Sequence, residues 1–130
     1  MTETVFKRAT RLQSDAARTG FDWPSLEGIF RKLTEELDEL RAAIDTNQPT
    51  PEIQAELGDI FFVLINLARR LGVTPDDALA DTCKKFERRF GHVCSELRKA
   101  GRRPEDSSLE EMEELWQAAK RLEMEGHRHT

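Results

Sequence analysis

The sequence predicts an all-α fold, an antiparallel helical bundle of about five helices. Apolar residues recur three or four positions apart along five segments, and no alternating strand pattern competes with them. The connections between the segments are short, which favours antiparallel packing of neighbouring helices. The 130 residues suffice to bury a core without disulfides or a structural metal. We therefore expect a single domain over residues 1–126 and a tail over residues 127–130.

The first two helices are predicted over residues 4–19 and 25–45. Gly20 ends the first helix as a C-cap, and a short loop with two aromatic residues, Phe21 and Trp23, follows it. The second helix carries an apolar stripe at helical spacing, so both helices offer one face to a shared core. The residues expected to face inward from the first helix are Phe6, Ala9, Leu12 and Ala16.

The third helix, predicted over residues 51–71, should be the central one. Its middle, from Ile60 to Ile65, is apolar on every side, and a helix that is apolar all round is buried all round. We expect it to pack against a second subunit as well as its own chain. The bundle is therefore predicted to be a homodimer, with a higher oligomer left open.

The last two helices have clear start signals. The fourth begins with Thr74 as N-cap and Pro75 at the first helical position, and it ends near residue 101. The fifth opens with a capping-box pattern from Ser108 to Glu111. On the fourth helix Cys83 and Cys94 are separated by roughly 16 Å, which is too far for a disulfide. We expect both to be reduced core residues of a cytoplasmic protein.

Charge and hydropathy exclude two classes of partner. The formal net charge is -5, whereas a general nucleic-acid binder carries a basic surface. No segment approaches the roughly 18 to 20 apolar residues that a membrane helix needs, and residues 1–18 lack the apolar region of a signal peptide. We expect a protein that binds neither nucleic acid nor membrane.

Two pairs of carboxylates lie at helical spacing on neighbouring helices. Glu36 and Glu39 are three residues apart on the second helix, and Glu56 and Asp59 are three apart on the third. Carboxylates that share a core repel one another unless they are paired or hold a metal, and Mg²⁺ or Mn²⁺ prefers oxygen ligands. Gly58 costs helix stability there, which suggests close packing or the approach of a ligand.

The alternative is that the acidic run at residues 35–39 is a solvated helix face, and the spacing alone leaves that open. Di-iron and zinc sites are not supported, because a di-iron bundle needs Glu-x-x-His pairs and the chain has none. The three histidines of the chain, at other positions, are His92, His127 and His129.

A basic pair and an aromatic–basic pair follow on the last two helices. Lys85 and Arg89 are four residues apart on one face, as a polyphosphate beside a metal would require, although solvated surface charge is the plain alternative. Trp116 and Lys120 repeat this spacing. Trp116 and Trp23 have two open interpretations, packing in the core or stacking on a nucleobase.

In this order the motifs resemble the MazG-type superfamily of all-α nucleoside triphosphate pyrophosphohydrolases, over about residues 8–123. The acids of the pattern Glu-Glu-x-x-Glu at residues 35–39 and of Glu-x-x-Asp at residues 56–59 match its metal motif. The chain is most similar to the C-terminal domain of two-domain members. Further matching segments are residues 20–24, 56–62, 66–69, 85–90 and 109–112, together with Trp116 and Lys120.

The resemblance implies a dimeric helical bundle that cleaves a nucleoside triphosphate to the monophosphate and pyrophosphate with Mg²⁺. It also implies that the reaction removes unwanted nucleotides from the nucleotide pool. By motif position, Lys85 and Arg89 would hold phosphates, Asn66 would bond sugar or base, and Glu35 would orient or deprotonate the attacking water. The nucleotide would also contact Trp116, Lys120 and Trp23. The implied metal ligands are Glu36, Glu39, Glu56 and Asp59.

One departure affects the expected substrate. Many relatives have Asn two residues before the helical lysine, where this chain has Cys83. A side chain able to bond the nucleotide is thus missing, which affects the nucleoside preference. Separately, two alternatives stay open: an enzyme of the same superfamily with a narrow substrate, such as dUTP, dCTP or phosphoribosyl-ATP, and a non-catalytic helical dimerisation module.

Overall fold

The computed structural model describes the backbone of residues 2–128 and the side chains of residues 2–126. This part of the chain is helical and contains no strand, which confirms the predicted all-α class. Each helix begins within one residue of its predicted start. The helices are α1 (Val5–Arg18), α2 (Leu26–Asp45), α3 (Thr50–Arg70), α4 (Pro75–Lys99) and α5 (Leu109–Arg128), with a 3₁₀ turn at Pro104–Asp106.

The end of α5 lies within the stretch predicted as a tail, residues 127–130. The helix continues to Arg128, and residues 129–130 lie outside the described residues. None of the helices described combines the length and the apolar character that crossing a lipid bilayer requires.

The chain divides into two compact units, Met1–Ala78 and Leu79–Thr130. The first unit holds α1, α2, α3 and the first turn of α4. Within it α3 packs against both α1 and α2. Side-chain caps begin two of these helices, because the hydroxyls of Thr4 and Ser25 accept hydrogen bonds from the backbone N–H groups of Lys7 and Gly28. The buried apolar residues of this unit are Ile29, Ile60, Val63 and Ile65.

The inward face of α1 is rotated from the predicted one. Leu12 is 46% exposed, whereas its neighbour Gln13 is buried. The Gln13 amide Nε2 donates a 2.9 Å hydrogen bond to the backbone carbonyl of Phe62, which offsets part of the cost of burying a polar group. The prediction that Leu12 belongs to the core was therefore wrong within the chain.

The apolar run of α3 is not buried on all sides by its own chain. Ile60, Val63 and Ile65 are buried, but Phe61 is 53% exposed and Leu64 is 41% exposed. One α-helix packed against two others has a face left over, so the chain alone does not satisfy the predicted burial. Similarly, a Cβ at Gly58 would have no atom within 4 Å, so the close packing expected there is absent within the described chain.

The second unit contains the rest of α4 together with α5. Phe86 stacks on Phe90 with ring centroids 5.7 Å apart, and it lies 5.4 Å from the Trp116 ring. Cys94 is half-buried, but Cys83 is exposed, so the prediction of two core cysteines was wrong for Cys83. The residues buried in this unit are Val93, Leu97 and Ala119.

The predicted capping box at the start of α5 is only half formed. The Ser108 hydroxyl accepts a hydrogen bond from the Glu111 backbone N–H at 3.1 Å. The Glu111 carboxylate turns to other donors, and it accepts from the Arg102 guanidinium and, at 2.8 Å, from the Ser107 hydroxyl. The charged loop before α5 is thus tied to the first turn of the helix.

Candidate functional site

Three of the predicted metal-binding carboxylates meet between α2 and α3. Glu36, Glu56 and Asp59 each offer an oxygen, and these oxygens lie within 4.8 Å of one another. Two helices that pack side by side and each carry acids at helical spacing bring them to one level, as the spacing predicts. We call these three residues the carboxylate cluster.

The cluster contains acceptors that no protein donor satisfies. Glu36 is 5% exposed, and both its Oε2 atom and the Oε2 atom of Glu56 are buried without a hydrogen-bond partner. Buried carboxylate oxygens are costly unless a donor or a cation compensates them. Three convergent carboxylates, two of which have a buried oxygen without a donor, fit a hard divalent cation such as Mg²⁺ or Mn²⁺.

Glu39 lies at the border of the carboxylate cluster. Repulsion from Glu36 raises the pKa of the Glu39 carboxyl, and partial desolvation and repulsion from Glu56 raise it further. The Glu39 carboxylate is thus repelled by the charges of Glu36 and Glu56, although it is not among the three carboxylates whose oxygens lie within 4.8 Å. Glu35 lies farther out, with a 57% exposed side chain 3.9 Å from the Lys32 ammonium.

Lys32 balances part of the negative charge. Its Nζ atom lies 3.0 Å from Glu36 Oε1, and this hydrogen-bonded pairing raises the pKa of the Lys32 ammonium. One oxygen of Glu36 is thus engaged while the other remains without a donor. The residue was missed from the sequence, although its position four residues before Glu36 was a usable signal.

A cavity of about 570 Å³ opens beside the cluster, entirely within the first unit. Five residues along one face of α3 line it: Asp59, Phe62, Val63, Asn66 and Arg69. Asp59 and Arg69 are ten residues apart, which is about 15 Å along a helix. The cavity therefore has a carboxylate end and a far end. The remaining lining residues are Leu12, Gln13, Ala16, Phe21, Asp22, Trp23, Lys32 and Glu36.

The loop between α1 and α2 forms the wall at the far end. Asp22 Oδ1 accepts a 2.6 Å hydrogen bond from Arg69 Nη2, and this ion pair lowers the pKa of the Asp22 carboxyl. Arg70 lies 3.7 Å from Asp22 Oδ2 and donates to the backbone carbonyl of Trp23. Trp23 itself is half-buried, so the structure places this predicted substrate residue at the cavity wall.

Two amides line the middle of the cavity. The predicted residue Asn66 accepts a 3.1 Å hydrogen bond from Arg69 Nη2 through its Oδ1 atom, which leaves its Nδ2 group as the donor. Gln13 is held through Nε2 by the Phe62 carbonyl, and its Oε1 atom is buried without a partner. Gln13 was missed, because nothing in a single sequence distinguishes it from the surface glutamines of a charged helix.

The predicted phosphate and nucleotide residues of α4 and α5 belong to the second unit. Arg89 lies 5.7 Å from the centroid of the Trp116 ring, and its Nε and Nη2 atoms donate to Glu123 at 3.1 and 3.0 Å. These contacts hold the guanidinium on one side. Lys85 is exposed and Lys120 is half-buried.

Comparison with known proteins identifies a matching family and related sequences. A family model described as the MazG nucleotide pyrophosphohydrolase domain matches residues 25–94. A Thermotoga maritima protein named nucleoside triphosphate pyrophosphohydrolase/pyrophosphatase MazG is 38% identical over 86% of this chain and 42% of its own length. An Escherichia coli K12 protein named nucleoside triphosphate pyrophosphohydrolase is 37% identical over 91% of this chain and 45% of its own length.

The chain thus spans less than half the length of these two relatives. The family model, by contrast, covers more than half of this chain and includes all the acids from Glu35 to Asp59. The chain therefore belongs to the MazG nucleotide pyrophosphohydrolase domain family.

Proposed function

We propose that the chain is a Mg²⁺-dependent nucleoside triphosphate pyrophosphohydrolase that converts a ribo- or deoxyribonucleoside triphosphate to the monophosphate and pyrophosphate. The observation that carries the proposal is the carboxylate cluster, with buried unpartnered oxygens on Glu36 and Glu56 beside an open cavity. Membership of the family and the names of the two relatives support the reaction type.

Glu36, Glu56 and Asp59 would hold the metal, with Glu39 as a fourth ligand. A divalent ion there supplies positive charge against a triphosphate and lowers the pKa of a water molecule. Lys32 engages one oxygen of Glu36 and so fixes the direction of its carboxylate. Glu35 is our candidate for orienting or deprotonating the attacking water, as its motif position implies.

The residues that contact the substrate are assigned by their position in the matching motifs, and they occur in both units. In the first unit Asn66 and Trp23 border the cavity and would contact the nucleoside. Lys85 and Arg89 of the second unit would offset negative charge on phosphates. Trp116 and Lys120, also in the second unit, would contact the nucleotide.

We further propose that the active form is a homodimer in the cytoplasm that removes unwanted nucleotides. Exposed apolar side chains on α3 support a second copy, since large exposed apolar surface indicates an interaction site. Phe61, Phe62 and Leu64 are each more than 40% exposed in the chain alone.

The test is release of pyrophosphate from a panel of nucleoside triphosphates by the purified protein with Mg²⁺. Glu36→Gln, Glu39→Gln and Asp59→Asn should each abolish turnover while the oligomer still forms. Asp38→Asn, which removes an exposed acid from the same helix, is the matched control and should retain activity. Release from a single nucleotide would favour the narrow-substrate alternative. If the wild type releases no pyrophosphate and Mg²⁺ does not change its thermal unfolding, the non-catalytic dimerisation module is the remaining interpretation.

A further inference from the structure

The loop that walls the far end of the cavity is tied to α3 by the Asp22 side chain and by the hydrogen bond from Arg70 to the Trp23 carbonyl. Asp22 and Arg69 form two parallel hydrogen bonds, from Nη2 to Oδ1 at 2.6 Å and from Nη1 to Oδ2 at 3.4 Å. The Asp22 and Arg69 side chains are only 26% and 15% exposed. A bidentate pair whose side chains are partly shielded from water fixes geometry better than a fully solvated ion pair does. The pair joins parts of the chain 47 residues apart.

The residues that this pair holds in place are aromatic. Phe21 and Trp23 flank Asp22, and both line the cavity. Trp23 is braced from behind, because a Cβ added at Gly28 would lie only 3.2 Å from Cε3 of its ring. Phe21, in contrast, is 82% exposed and contributes little to the core. An exposed aromatic ring beside a cavity is suited to contact a flat apolar ligand group.

The position of the loop relates it to one part of the substrate. The carboxylate cluster marks the triphosphate end of the cavity, and the loop lies about 15 Å away along α3. A nucleotide that extends from the cluster along this cavity would bring its nucleoside to Phe21 and Trp23. Aromatic side chains stack on any nucleobase, since every base offers a π face.

We propose that Asp22 is a positioning residue for nucleobase binding, which holds Phe21 and Trp23 against the base through its pair with Arg69. The inference rests on the proposed function, because the cluster must hold the triphosphate. It concerns affinity for the nucleoside, and so it separates Asp22 from the residues that hold metal and phosphates.

The experiment compares two ligands that differ in the nucleoside. Dissociation constants are measured by titration calorimetry with Mg²⁺ for a non-hydrolysable α,β-methylene nucleoside triphosphate and for inorganic tripolyphosphate. The loss of stacking in Asp22→Asn should weaken the nucleoside analogue about tenfold or more. Tripolyphosphate affinity should change less than about twofold, because the carboxylate cluster is intact. Asp22→Glu, which keeps the charge, should restore part of the affinity for the analogue.

Two further variants guard against a merely structural effect. Phe21→Ala removes an exposed ring, so it should fold normally and should weaken only the nucleoside analogue. Asp15→Asn, which breaks an exposed ion pair with Arg18 on α1, is the matched control and should change neither ligand. Equal weakening of both ligands by Asp22→Asn, no weakening of either, or tighter tripolyphosphate binding through a released Arg69 would each overturn the proposal.

The two proposals fail in different measurements. The proposed function fails if the wild type binds the analogue but releases no pyrophosphate from any nucleotide. The role of Asp22 fails if the ratio of the two dissociation constants is the same in Asp22→Asn as in the wild type.

Discussion

Removing the charge of Glu36 should remove most of the stabilisation of the protein by divalent ions. Glu36 is the most buried member of the carboxylate cluster, at 5% exposure, and its Oε2 atom has no donor. The three oxygens lie within 4.8 Å of one another, and two unit charges at that outer limit repel by about 3.5 kcal/mol at an effective dielectric constant of 20. Without a cation the cluster therefore destabilises the fold, and a cation reverses the sign of that contribution.

The size of the response follows from mass action. An ion present at about 100 times its dissociation constant stabilises the folded state by about 2.7 kcal/mol. For a chain of this length that corresponds to a rise in Tm of about 8 °C. Glutamine keeps the volume of Glu36 but offers no anionic oxygen, so Glu36→Gln should lose most of this rise.

The assay is thermal unfolding followed by circular dichroism, in EDTA and then with Mg²⁺ or Mn²⁺. In EDTA, Glu36→Gln should unfold at the wild-type temperature or above it, because repulsion within the cluster is relieved. Asp38→Asn controls for the loss of one negative charge from α2. If Glu36→Gln keeps the full rise with Mg²⁺, the carboxylate cluster does not bind the ion.

Three other outcomes concern the second unit and α3. Lys85→Met and Arg89→Met should each raise the KM for nucleotide about tenfold, because each loses a charged contact with phosphate. Lys84→Met is the control, and unchanged KM values in the first two variants would contradict the assignment. The hydrogen bond from Arg89 lowers the pKa of the Glu123 carboxyl, so the ionised Glu123 stabilises the folded state. Glu123→Gln should therefore destabilise the protein above pH 4.5. The difference in stability between variant and wild type should vanish as the pH falls through the lowered pKa. An opposite pH slope would refute this. Gly58→Ala should stabilise α3 by about 1 kcal/mol in denaturant unfolding, because a Cβ there meets no atom, and destabilisation would indicate a second chain at that point.

The helices could be predicted closely from the sequence. Caps and breakers act within a few residues, so the start of α2 at the Ser25 cap and of α4 at Pro75 could be read directly. The capping box of α5 was predicted only in part, because Arg102 and Ser107 compete for the Glu111 carboxylate. That competition depends on a loop whose path the local sequence does not specify.

Burial was harder to predict than helix position. Periodicity placed Leu12 inside, yet Gln13 is the buried residue because a carbonyl of α3 accepts its amide hydrogen bond. The run around Phe61 was expected to be covered, and the chain alone leaves part of it open. Hydropathy reports which residues favour burial, but the partner surface decides which of them achieve it.

The sequence by itself determined the helical class, the helix starts and the two pairs of carboxylates at helical spacing on α2 and α3. These features depend on periods and caps that act over a few residues, and helix spacing carries them into three dimensions. Only the tertiary structure decided that Asp22 pairs with Arg69, that Gln13 lies in the cavity wall and that Arg89 is held by Glu123. Such contacts join residues 34 to 49 positions apart, and helix packing rather than local periodicity brings them together.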